Sequence, residues 1–146
     1  MYTYILLTHI LAATIWTGGH LVFSMLILPK ALRARDPEIL LNFENGFEKI
    51  GMPALVLQIV TGLWLAYQLI PDVARWFSFD DNTSGSIALK LIVLGITAAF
   101  AINARFRVVP NLSADTAVLF AWHIVPVTIL SVCFVILGVG IHARGY

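Results

Sequence analysis

The residues best suited to chemistry in this chain are its four histidines, His9, His20, His123 and His142. All lie within, or at the ends of, two long apolar runs. Imidazole is the commonest metal-ligating side chain and titrates near neutral pH. Inside a lipid-facing segment an ionisable group is costly enough to imply a role. His9 and His20 are eleven residues apart in sequence. On an α-helix that is three turns to within about 20°, so both rings share one face, about 16 Å apart along the axis. Trp16 falls on the same face. Ala12, Ala13, Gly18 and Gly19 keep it thin, so that a flat group or another helix can come close.

The elements that must position these rings follow from composition. The chain has 146 residues, 60% of them hydrophobic and 12% charged, with a mean hydropathy of +0.90. Soluble domains run at roughly 45–50% apolar and 25% charged, and a core this small cannot hide so much apolar surface. Lipid is therefore the expected solvent. Four stretches reach the roughly 20 apolar residues a span needs: 4–28, 51–70, 87–104 and 117–141. Lys90 is their one charged residue. Strand-like alternation is missing, so the expected fold is an all-α, single-domain four-helix transmembrane bundle. Pro29 and Pro71 should end the first two spans, Pro53 should sit in the first turn of the second, and Pro126 should kink the fourth. The first run lacks a basic n-region and is long for an h-region, so it reads as a span and not as a cleaved leader.

Basic residues collect in the first connection (Lys30, Arg33, Arg35, Lys49) and the third (Arg105, Arg107). Positive-inside counting puts both in the cytoplasm and both termini outside. Residues 31–50 read as an amphipathic segment along the inner interface or as a solvated connector. Trp76, Phe77 and Phe79 read as an outer interfacial anchor. A net charge of +1 leaves no polybasic footprint for nucleic acid. A single cysteine, Cys133, excludes an internal disulfide. No span holds a carboxylate, which disfavours a proton relay built on acids.

By depth, His20 pairs with His123 and His9 with His142. Two occupants suit such pairs. Haem b is flat and apolar, takes axial histidines from facing helices and sends its propionates to basic groups. Trp16 would then pack on it, and Lys90, several ångströms inside its span, would meet a propionate or substrate. Copper is the other occupant, with Met25, Met52 and Cys133 as further soft ligands. Gln58, Thr61, Thr97, Asn103, Thr128 and Ser131 read mainly as interhelical bridges.

The run from His9 through Trp16 and Gly19 to Leu28-Pro29-Lys30 resembles the first span of the CopD (copper resistance D) membrane family. Together with Lys90-Leu-Ile-Val-Leu and Arg105-Phe-Arg, it also resembles the HemJ-type membrane protoporphyrinogen oxidases. The resemblance implies a haem b or copper site with His9 as ligand and Lys90 supporting a porphyrin. His20 and His123 are additions to the HemJ pattern, and the aromatic tail of that type is missing after Lys30. The expected function is a membrane redox protein of a bacterial inner membrane, holding haem b alone or with a second haem or copper, and exchanging electrons with an unidentified partner. The alternative is a copper transporter or resistance protein without haem. A catalytic residue is not identifiable, and monomer and homodimer both stay open.

Overall fold

The computed structural model describes the backbone of residues 1–143 and the side chains of residues 1–140, so the His142 side chain lies outside the described residues. Four helices dominate: α1 (Tyr2–Ala34), α2 (Glu38–Leu69), α3 (Asn82–Asn111) and α4 (Ala117–Ala143). Each is long and apolar enough to cross a bilayer, and no strand occurs among the described residues. The all-α, multi-pass architecture is as the sequence led us to expect.

The boundaries differ in instructive ways. Pro29 does not end α1. Proline lacks an N–H and clashes with the carbonyl four residues back. Here a π-turn, Phe23–Ile27, precedes it and widens the hydrogen-bond step, so the helix continues through Leu28–Ala34. The same device, Ala104–Val108, precedes Pro110 in α3. What stops α1 is Arg35 in the left-handed conformation, φ 52°. Its N–H bonds Leu32 O while the Asp36 N–H bonds Ala31 O, which satisfies two terminal carbonyls. Pro71 does act as a stop. Ile70, just before it, is extended at φ −136° and ψ 95°, as sterics before proline favour.

The expected interfacial segment is also corrected. Residues 38–50 are the first part of α2 itself, and Pro53 lies well inside that helix instead of in its first turn. Phe43 packs at a tilt against Phe23 (centroids 4.7 Å apart), which ties this part of α2 to α1. Around them Phe23, Leu28, Ala31, Leu40, Val108, Ala117, Phe120 and Ile124 form the larger core cluster, at the end of the bundle where α1 stops and α2 begins. At 33 and 32 residues, α1 and α2 are about 50 Å long, well beyond the roughly 30 Å hydrocarbon thickness.

Packing follows the order α2–α1–α4–α3, with α1 and α4 in the middle. α2 and α3 meet chiefly at their ends. At one end Ala66, Ile70, Trp76 and Ile87 cluster. At the other Arg105 Nε pairs with Glu48 Oε1 at 3.1 Å. Trp76 is thus not the interfacial anchor expected. It is 8% exposed, and its indole N–H donates to Ile70 O at 2.9 Å. Phe77 and Phe79 do stay exposed, as do Ile10, Val60, Ile92, Trp122, Ile129 and Ile136 around the girth of the bundle. An apolar girdle of this kind is what a lipid solvent requires.

The α1–α2 seam is the tightest contact. A Cβ placed on Gly19 would collide with the Phe47 ring, whereas one on Gly18 would meet nothing within 4 Å. Gly19→Ala should therefore destabilise the protein by about 1–3 kcal/mol through overpacking. Gly18→Ala should be neutral or stabilising by up to about 1 kcal/mol from helix propensity. Thermal unfolding of the two variants in one detergent checks this difference in sign.

Asp81 caps α3 with a reciprocal bond to Ser84. The Ser84 backbone N–H is the main cause of a carboxyl pKa held below its ordinary value. The cap's stabilisation is complete above roughly pH 3.9 and is lost as pH falls through the lower folded value. Wild type should lose melting temperature on acidification in that window. Asp81→Asn should lose less, and unfolding scans at stepped pH measure the difference.

Candidate functional site

Contacts across three helix pairs fix the relative heights of the helices. Thr17 Oγ1 donates to Ser131 O, and Thr128 Oγ1 donates to His20 O, setting α1 against α4. The His9 ring bonds Thr61 and lies 3.0 Å from where a Gly62 Cβ would stand, setting α1 against α2. The Lys90 ammonium lies 3.8 Å from a Cβ built on Gly138, setting α3 against α4. Seven residues back along α1 from Thr17, and seven on along α4 from Ser131, Ile10 comes level with Gly138. His9, Thr61 and Lys90 therefore occupy one slice of the bundle. His20 lies three turns away, at the level of Thr128.

The proton positions of the α1 imidazoles follow from their partners. His20 Nδ1 is 2.8 Å from Trp16 O. A carbonyl only accepts, so Nδ1 carries the hydrogen and the lone pair of the neutral ring is on Nε2. His9 Nδ1 is 2.9 Å from Thr61 Oγ1. That hydroxyl already donates to Leu57 O at 2.6 Å, so it accepts from the ring. His9 is thereby held in the same tautomer. Histidine ligands of metals are commonly fixed in this way, one nitrogen donating to an oxygen and the other left basic.

His123 is differently placed. Its Nδ1 donates to Leu119 O at 2.9 Å, and its Nε2 is 3.0 Å from the Asn103 side chain. Two acceptors do not bond, so either the amide turns its NH2 toward the ring or the ring is an imidazolium. In both cases Nε2 is engaged by α3, and Phe100 covers the ring edge-on at 5.9 Å. The expected pairing of His20 with His123 is not what the contacts give. His20 looks to Trp16 and Phe47, with centroids at 4.3 and 5.3 Å, whereas His123 looks to α3. The His9–His142 pair falls outside the described residues.

The thin face of α1 also has an occupant, and it belongs to the chain. Phe47 fills the space at Gly19, leans on Gly51 and abuts both Trp16 and His20. A porphyrin does not fit beside His20 in this packing. Lys90 is half-buried and has no carboxylate partner among the described residues. Met25 and Met52 are 68% and 47% exposed and so face outward, and Cys133 is a half-buried free thiol. Among the described residues no three His, Cys, Asp or Glu side chains gather into a metal-holding group.

The copper resistance protein D family model matches residues 41–141, more than two thirds of the 146-residue chain. The chain belongs to that family. No curated protein and no solved structure matches it. The family name points to copper and gives haem b no support, and the expected kinship to HemJ-type oxidases is likewise unsupported. The matched stretch holds Lys90, Asn103 and His123. The α1 residues that carried the resemblance in the sequence, His9 to Lys30, lie before it.

By residue type, Thr61 and Asn103 are expected to bridge helices. They are bridges, and each also fixes a histidine. Phe47 lies within the 31–50 stretch, whose amphipathic pattern does not say which ring meets which helix. Only the α1–α2 register shows that it meets Gly19.

Proposed function

We propose that the chain handles copper as cargo within the membrane, with His9 and His20 as two nitrogen footholds on α1. The observation that carries this reading is their shared tautomer. Thr61 and the Trp16 carbonyl hold each Nδ1 hydrogen, so the basic lone pair is on Nε2. Imidazole nitrogen suits copper, and two sites about 16 Å apart along the helix would divide the apolar layer into shorter steps. Trp16 and Lys90 would act around this route, Trp16 by packing against His20. Lys90, level with His9, would act as a fixed cation that limits how many positive charges the slice admits. His123 would brace α3 against α4. A bacterial cytoplasmic membrane is the setting we propose, with the basic connections on the inner side.

Metal analysis, an absorption spectrum and copper uptake into proteoliposomes test the proposal together. Wild type should bind and admit copper and show no Soret band, and the His9→Ala/His20→Ala double variant should lose both binding and uptake. A Soret band abolished in that variant would establish the haem reading in its place. Thr61→Val keeps the shape but removes the acceptor for His9 Nδ1–H. It should weaken copper binding about 10–100-fold, as losses of such supporting contacts do.

A further inference from the structure

Two buried polar atoms in the α1–α2 seam have no hydrogen-bond partner: Trp16 Nε1 and Gln58 Oε1. Trp16 is 5% exposed. The register that sets His9 on Thr61 and Gly62, and Gly19 on Phe47 and Gly51, brings Ala54 opposite Trp16 and Gln58 opposite Ala12. The two orphans therefore lie on adjacent turns of one seam, flanked by the buried alanines Ala12 and Ala54. His9 is on one side of them and His20 on the other.

An orphaned buried donor or acceptor costs about 1–3 kcal/mol, and lipid offers it nothing. One group is a donor only. The other is an amide whose buried end needs a partner whichever way it is turned. A guest that both accepts and donates answers both.

We infer that the seam holds a buried water site, with Trp16 Nε1–H donating to the water and the water donating to the Gln58 amide. This rests in part on the copper reading, for such a site would give the ion an oxygen ligand between its two nitrogen footholds. Water is the species whose two hydrogens and two lone pairs fit this donor and acceptor set. Buried waters commonly make about three such bonds.

The test uses the full chain in lipid nanodiscs with 15N-labelled indoles, the Trp16 signal being assigned by its loss in Trp16→Phe. Wild type should give a cross-peak between the Trp16 indole hydrogen and water. Gln58→Met should shift that indole signal yet keep the cross-peak, because Trp16 still holds the water. A Trp16 indole with no water cross-peak, whether unbonded or bonded directly to the amide, would overturn the site. The wild-type spectrum decides this even if a variant fails to fold. Added Cu(I) should then move the signal. A water cross-peak indifferent to copper, in protein that takes up no copper, would leave the water site standing and remove the copper reading. Protein that binds copper at the histidines but shows no water would do the reverse.

Discussion

The close approach of α1 and α2 at Gly19 governs much of this structure. With no side chain at that position, the Phe47 ring lies directly on the α1 backbone, and the register of the two helices is fixed there. Small residues have this role in lipid, where burial of apolar surface gives helices no reason to associate and dispersion at short range must hold them. Once the register is set, His9 meets Thr61 two turns or more from the contact, and His20 meets the edge of Phe47. A slip of one turn would separate His9 from its hydroxyl and release the tautomer on which the proposed copper binding depends.

Polar groups inside the bundle follow the same economy. Thr17, Thr128 and Ser131 use backbone carbonyls on their own or a facing helix. Asn103 and Thr61 meet imidazoles on a neighbouring helix. In a medium without water each such bond replaces a large desolvation penalty. Groups left outside this arrangement, the Trp16 indole and the Gln58 amide, therefore carry information about what else the seam contains.

Much of the fold was legible in the sequence, because a run of about 20 apolar residues has few alternatives in a bilayer. The number of helices, their order and the Pro71 stop could all be read from residue type. Where the reading failed, a local rule met a tertiary remedy. Pro29 signals a helix end, but a π-turn lets α1 pass it. Residues 38–50 have an amphipathic pattern, yet their apolar face is spent on α1. Trp76 has the composition of an interfacial anchor and serves as a plug between α2 and α3. Of the site, the shared face of His9, Trp16 and His20 was readable from helical spacing alone. Partners across the seam were not, since spacing along one helix says nothing about register against the next. Depth pairing put His20 with His123, but the rings point to different neighbours, α2 for one and α3 for the other.

The tautomer of the two α1 imidazoles is the point at which geometry becomes chemistry, and 15N NMR of the histidine rings in lipid reads it directly. At neutral pH and without copper, His9 and His20 should both carry their hydrogen on Nδ1, and Cu(I) should perturb both Nε2 signals while leaving His123 unmoved. Rings protonated on Nε2, or Nε2 signals indifferent to copper, would contradict a route for the ion along α1.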